Sequence, residues 1–297
     1  MTATDDATAT VFEEQRSYLF SIAYRLLGSV GDAEDAVQDT FVRWQREPRR
    51  DVQSPRAFLA TIVVRLCMDQ LRSARARREV YVGPWLPEPL VTTDRADLTE
   101  TVVLRESLSF AFLLLLEALS PLERAVFVLR EVFDYDYADI AAMVDKSQSN
   151  CRQIFHRARA RLHERQSSFQ PTVEEQQRVT EKFVRATEAG DVPALLALLT
   201  DDAVSISDGG GKARAALRPI RSRENVVRGF LGNLAKLPPD RVWLEEVNGQ
   251  LAAVAARGGR AHGVLLLDIR DGQVQVLYSV VNPDKLRDID RRLAARQ

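Results

Sequence analysis

Apolar positions recur every three to four residues through the first half of the chain and at every second residue through much of the last third. That change of period predicts helices first and strands later. Tyr18–Leu27 reads as a helix stopped at Gly28, and Asp32–Trp44 as a second helix with acids in its first turn, where the helix dipole favours them. A third runs from Pro55, a residue suited to a first helical turn, to about Arg78. Along it Leu59, Ile62, Val63 and Leu66 form an apolar stripe, while Thr61, Arg65, Arg72 and Arg75 share a polar one. The period then breaks. Tyr81–Asp97 holds Gly83, Pro84, Pro87 and Pro89 around Trp85, and prolines fix φ and remove donors, so an extended linker is expected.

A second helical block spans about Leu98 to Arg165, and its end carries the strongest pattern in the chain. Tyr137–Val144 reads as a short helix, Asp145-Lys146-Ser147 as a tight turn with Ser147 as N-cap, and the following stretch as a longer helix. Cys151, Ile154, Ala158 and Leu162 fall on one stripe of that helix. Ser149, Arg152, Gln153 and His156 fall opposite, flanked by Arg157 and Arg159, with Asn150 in the first turn. An apolar side turned inward and an amide-and-arginine side turned outward suit a recognition helix in the major groove. A solvated amphipathic helix is the plainer reading, and the short leading helix and the turn length argue against it.

Beyond Pro171 two helices are expected, Val173–Ala189 and Ala194–Leu199, and then strand signals. Ala203–Ser207 and Lys212–Leu217 flank the turn Asp208-Gly209-Gly210-Gly211, and Asn225–Ala235 looks helical. Arg241–Val247, Gln250–Arg257, Ala261–Ile269 and Gln273–Val281 come next, separated by Asn248-Gly249, Gly258-Gly259 and Asp271-Gly272, each a two-residue hairpin signal. The expectation is an α+β domain whose curled antiparallel meander wraps a cavity. The expected organisation is therefore residues 11–80 and 98–167 as two all-α domains, 81–97 as a Pro/Trp linker, and 172–297 as the α+β domain.

Charge sharpens the picture because it is segmented rather than in excess: the net formal charge over 297 residues is −1. Arg65, Arg72, Arg75, Arg77 and Arg78 make one basic helix, and the stretch from Lys146 to Arg165 makes another. Asp35 and Asp39 lie in a separate acidic patch. Two basic helices neutralise phosphates locally, while acidic surfaces repel DNA or seek a basic protein. No apolar run is long enough to span a membrane, and the polar start, MTATDDATAT, lacks an apolar signal segment, so a cytoplasmic protein is expected. Cys67 and Cys151 are isolated and the three histidines scattered, so neither a disulfide framework, a metal site nor a cofactor is expected.

The stretches YLFSIAYRLLGSVGDAEDAVQDTFVRW and SPRAFLATIVVRLCMDQLRSARARR resemble region 2 of the extracytoplasmic-function (ECF) sigma factors, and LSPLERAVFVLREVFDYDYADIAAMVDKSQSNCRQIFHRARARL resembles their region 4. The resemblance implies a dissociable RNA polymerase subunit with promoter DNA and core polymerase (β′ clamp and β flap) as partners. Asp35, Gln38 and Asp39 would meet the β′ clamp; Thr61, Arg65, Arg72, Arg75, Arg77 and Arg78 would hold the −10 element. Ser149, Asn150, Arg152, Gln153, His156, Arg157 and Arg159 would read the −35 element. Arg65 stands where the family commonly carries a base-reading Asn, and Gln153-Ile154 replaces a common Ser-Arg pair. The carboxy-terminal domain resembles a SnoaL-like, ketosteroid-isomerase-type cone fused to one ECF subgroup. Its signatures are Trp85-Leu86-Pro87-Glu88-Pro89, Asp208-Gly209-Gly210-Gly211-Lys212 and Asn282-Pro283-Asp284-Lys285-Leu286. They imply regulation in cis, through contact with the linker, in place of a separate anti-sigma protein.

Alternatives stay open at this level. Asp208–Lys212 lacks the spacing of a phosphate loop and reads as a hairpin turn or an interdomain contact. Trp85 is costly to leave in water, which favours docking over a stiff spacer. Isomerase chemistry would need a cavity carboxylate and an oxyanion donor, for which Asp202, Asp268, His262 and Tyr278 are available. A cone of this kind also suits a small-molecule ligand. A ligand-responsive helix-turn-helix regulator and an enzyme active in the cone are the readings outside the sigma class.

Overall fold

The computed structural model describes residues 3–46, 54–93, 98, 101–163 and 172–295, without the side chains of 3–8, 74–79, 102, 163 and 295. These residues fall into two compact units, one within 1–79, 96–108 and 112–167, the other within 80–95, 109–111 and 168–297.

The first unit is all helix. α1 (Ala3–Leu27), α2 (Val30–Arg46) and α3 (Pro55–Glu79) pack together through Leu19, Ile22, Leu26, Val37, Leu59 and Val63. α4 (Val102–Glu106) and α5 (Phe110–Leu116), of which residues 110 and 111 fall in the second unit, lead to α6 (Pro121–Glu131), which starts on a capping box in which Ser120 and Glu123 satisfy each other's backbone N–H groups. α7 (Tyr137–Val144) and α8 (Gln148–His163) complete it. Two buried arginines tie the three-helix block to the rest of the unit. Arg25 is fully buried and donates to Ser21 O, Ser107 Oγ, Leu98 O and Leu104 O at 2.7–3.0 Å. Burial depresses its guanidinium to about 9. Arg124 donates to Leu26 O at 2.8 Å and pairs with Glu117 at 2.9 Å. Neither role was legible in the sequence, where Arg25 is the single charge of the stretch Tyr18–Leu27.

The second unit is α+β, as expected. α9 (Val173–Glu188), α10 (Val192–Leu198) and α11 (Arg223–Lys236) lie against a six-stranded sheet of order β2-β1-β6-β5-β4-β3. The strands are β1 (Leu199–Asp208), β2 (Ile220–Arg221), β3 (Arg241–Val247), β4 (Gln250–Arg257), β5 (Arg260–Arg270) and β6 (Gln273–Val280). Phe183, Leu195, Leu199, Val226, Leu267 and Leu277 centre its core. The β3–β6 meander turns on the three expected dipeptides, all six residues at positive φ as a type I′ turn requires.

Three expectations need correction. The sheet is mixed, because β1 pairs in parallel with β6, a non-local pairing that no sequence period encodes. Lys212–Leu217 is not a strand but a loop, and only Ile220–Arg221 pairs with β1. The chain also ends in an amphipathic helix, α12 (Arg287–Ala295), which the sequence reading did not anticipate.

Candidate nucleic-acid interface and linker latch

The helix-turn-helix forms for local reasons. Asp136 caps α7, its carboxylate accepting from the backbone N–H groups of Ala138 and Asp139 at 2.7 and 2.8 Å. α7 stops at Asp145, which adopts left-handed backbone (φ 54°, ψ 55°) while Lys146 N–H returns to Ala141 O. Ser147 Oγ then accepts from Asn150 N–H at 3.2 Å and opens α8. Cys151, Ile154, Ala158 and Leu162 are buried, together with Phe155, which stacks on Phe127. Ser149, Arg152, Gln153, His156, Arg157 and Arg159 are exposed, and Asn150 is half-buried. Arg152 lies 5.4 Å from the centre of the Tyr137 ring, a cation–π contact that limits its reach. Arg161 turns back to Glu123 at 3.0 Å. Burial raises the Glu123 carboxyl, but the Ser120 hydrogen bonds and the Arg161 charge outweigh it and hold the group below its usual range.

The −10 candidates are arranged differently. Ser54 caps α3. Half-buried Thr61 spends its hydroxyl on Ala57 O at 2.8 Å. Arg65 donates to Met143 O at 3.0 Å and Ala142 O at 2.9 Å, two carbonyls in the last turn of α7, where a cation is favoured. Arg72 pairs with Asp69 at 2.7 Å on the same exposed face. The side chains of Arg75, Arg77 and Arg78 lie outside the described residues. On α2, Asp35, Gln38 and Asp39 are exposed opposite a buried face of Val30, Ala33, Ala36, Val37, Thr40 and Trp44.

In the second unit the three signature segments meet. Asp208, at the end of β1, is wholly buried. Its carboxylate accepts from Tyr81 OH at 2.6 Å and Leu86 N–H at 2.8 Å, and pairs with Lys285 Nζ at 2.7 Å. The Asp208 carbonyl takes the N–H groups of Val281 and Asn282 at 2.9 and 3.0 Å. Lys285 also donates to Leu86 O and sits 4.3 Å from the centre of the Trp85 ring. Asn282 donates to Tyr81 OH at 2.9 Å, and Lys212 pairs with Asp284. Burial first, and then the Asp208 carboxylate, push the Tyr81 phenol above its ordinary range, so it remains a donor. Gly210 is needed for two reasons: its φ is +56°, and a Cβ there would lie 2.2 Å from Asn282 Nδ2. Gly211, at φ +72°, would place a Cβ 3.2 Å from Val82.

Past Trp85, which is half-buried, the linker stays on the sheet. Leu86, Pro87, Glu88, Pro89 and Leu90 are buried, as is Leu286. Leu90 and Asn248 exchange two hydrogen bonds at 2.8 and 2.9 Å, and Thr92 N–H reaches Glu246 O at 2.9 Å, so the segment grips the β3–β4 turn as well as the β1 end. Tyr81 and Asn248 are the participants outside the three signatures; in the sequence Asn248 carries only a turn signal.

The face of the sheet away from the linker lines a cavity. Ser205, Ser207 and Ser279 point into it, and side chains alternate along a strand, so Asp208 and Tyr278 point the other way. Of the four residues weighed for isomerase chemistry, His262 alone lines the cavity; Asp202 is exposed at the foot of β1. Asp268 pairs with Arg270 at 3.4 Å, and burial raises its carboxyl.

Residues 11–77 match the model of Sigma-70 region 2, and residues 109–162 that of Sigma-70, region 4. ECF RNA polymerase sigma factor SigJ of Mycobacterium tuberculosis is 38% identical over 92% of this chain and 91% of its own length. The probable ECF sigma factor SigI of the same organism is 31% identical over 95% of each. The crystal structure of SigJ superposes with a TM-score of 0.76, at 36% identity, covering 94% of this chain and 98% of that one. With both sigma regions in order and similarity covering more than nine-tenths of the chain, the chain belongs to the ECF RNA polymerase sigma factors, in the subgroup with a SnoaL-like carboxy-terminal domain, and directs promoter-specific transcription initiation.

Proposed function

We propose that this sigma factor is regulated in cis, by a latch in which the α+β domain holds the connection between its two DNA-reading parts. The observation that carries the proposal is the burial of one linker face on the sheet, with the Asp208 carboxylate gathering Tyr81, Leu86 and Lys285. The linker joins α3 to the region 4 block covalently, so holding it restricts the separations the two parts can adopt. Exposed Arg152, Gln153, His156 and Arg157 supply −35 contacts, with Ser149, Asn150 and Arg159 alongside. Arg65 and Arg72 serve the −10 element after exchanging their present partners, and Asp35, Gln38 and Asp39 meet basic helices of the polymerase clamp. The protein works in the cytoplasm, needs no separate anti-sigma factor and is not an enzyme; the placement of Asp268 and Tyr278 on the sheet face opposite the cavity supports the last point.

Run-off transcription with purified core polymerase, with and without residues 172–297, tests this reading. Promoter-specific transcripts whose yield depends on the extension are expected, and Trp85→Ala should act in the same direction as substitutions at Gly210 or Lys212. Unrelated effects at the two sites would remove the latch. No specific transcript from any form would remove the reading altogether.

A further inference from the structure

The cavity of the second unit has a volume of about 470 Å³, within the range of roughly 300–1,000 Å³ common to small-molecule sites. Its wall is mainly apolar, with Phe183, Phe230, Leu234, Val264 and Leu265 prominent. Burial, with Arg257 nearby, lowers the His262 imidazole, so that side chain is neutral at pH 7. Among the lining residues the full charges are Arg214, Arg228 and Lys236 against Glu188, and all four are exposed, which sets them on the solvent side of the apolar wall. Arg228 is tied to Asn225 at 2.6 Å; Arg214 and Lys236 have no ion pair among the described residues. An apolar interior beneath a cationic rim matches a molecule with an apolar body and one anionic head.

The same wall is the back of the latch. Ser207 and Asp208 are successive residues of β1, the first facing the cavity and the second the linker. The loop after β1 passes Gly209–Gly211 and returns as Arg214, Ala215 and Ala216 in the cavity wall. It has no slack: a Cβ on Gly209 would stand 2.4 Å from Ala213 O and 2.8 Å from Ala215 Cβ. Val281 lines the cavity and donates its N–H to Asp208 O at 2.9 Å. Ordering the wall therefore orders the loop and strand end that grip Tyr81 and Leu86.

We propose that the cavity binds a medium-chain carboxylate, its chain inside and its head at Arg214 and Lys236, and that occupancy tightens the grip of the Asp208 loop on the linker. This rests on the latch reading, yet the two fail separately, because latch substitutions act on the protein without added ligand. The test is calorimetric titration of the full chain with dodecanoate, dodecanol and dodecylamine, paired with hydrogen exchange over residues 84–92. Dodecanoate should bind at one site, and the Arg214→Ala, Lys236→Ala double variant should weaken it roughly tenfold, as loss of charge-assisted contacts does. Ala255→Trp, which fills the wall, should abolish binding; Ala253→Leu serves if the first variant does not fold. Linkage requires reciprocity: Asp208→Asn should weaken dodecanoate by the factor by which dodecanoate slows exchange in the linker, within the roughly 5- to 150-fold usual for coupled sites. Absence of dodecanoate binding, or binding indifferent to wall filling, overturns the site. Equal affinity for the alcohol or the amine overturns the head-group assignment, and unchanged linker exchange overturns the coupling.

Discussion

Replacing Asp208 with alanine is the perturbation that isolates the latch. The carboxylate is wholly buried and serves three donors at once: Tyr81 OH, Leu86 N–H and Lys285 Nζ, whose side chain is 12% exposed. Leaving a buried N–H unsatisfied costs about 1–3 kcal/mol. Removing one partner of a buried ion pair costs about 3–5 kcal/mol, and the two losses overlap because one carboxylate supplies both. Taken together the linker should lose about 3–5 kcal/mol of local stability, which at about 1.4 kcal/mol per decade makes opening more frequent by two to three and a half decades, roughly 10²- to 4 × 10³-fold. Hydrogen exchange read by mass spectrometry over residues 81–92 measures this directly, because Leu86, Leu90 and Thr92 donate backbone N–H groups to the sheet unit. Strands β4 to β6 should keep their protection. Unchanged exchange in the linker would refute the reasoning. Equal loss of protection throughout the sheet would also refute it, because Asp208 would then support the fold and not the latch.

Other outcomes rest on single contacts. Gly210→Ala forces a side chain into left-handed backbone, at a cost of about 1–2 kcal/mol, and displaces Asn282 or Tyr81; its promoter-level effect should match that of Trp85→Ala in transcription assays. Arg152→Ala and His156→Ala should each lower transcription from −35-dependent promoters by the equivalent of about 1–3 kcal/mol per base contact, with core polymerase binding by pull-down unchanged. Arg65→Ala removes both bonds to the α7 carbonyls; discounted for exposure, about 1 kcal/mol should be lost at the α7 end, seen as faster exchange near Lys146. His262 is held neutral in the fold, below its ordinary value of 6.5. The unfolded chain therefore takes up a proton first as pH falls below about 6.5, and stability should decline from there down to the folded-state value. Thermal unfolding between pH 8 and pH 5 should show that decline shrinking in His262→Asn; an identical slope in the variant would assign it elsewhere.

The parts of the fold that depend on neighbours in sequence were legible before the structure. α7 and the bounds of β3 and β4 came out residue for residue, because caps, turn dipeptides and burial period are local signals. The parallel β1–β6 pairing was not legible, since partners more than seventy residues apart leave no period; nor was α12, a charged segment whose apolar side emerges only once the sheet beside it exists. Lys212–Leu217 alternates like a strand but serves as loop and cavity wall. At the site, the outward face of α8 could be counted off at 100° per residue. That Arg65 reaches α7, or that Asn248 holds Leu90, depends on contacts made across 78 and 158 positions.

The claim that the latch sets the distance between the two promoter-reading parts is tested most directly by spacer preference. Full-length wild type and Asp208→Ala would be assayed with core polymerase on promoters identical except for single-base-pair steps in the −35 to −10 spacer. The account predicts a sharp optimum for wild type and a broadened or shifted one for the variant. Superimposable profiles, from a variant whose linker is shown by hydrogen exchange to be released, would contradict it.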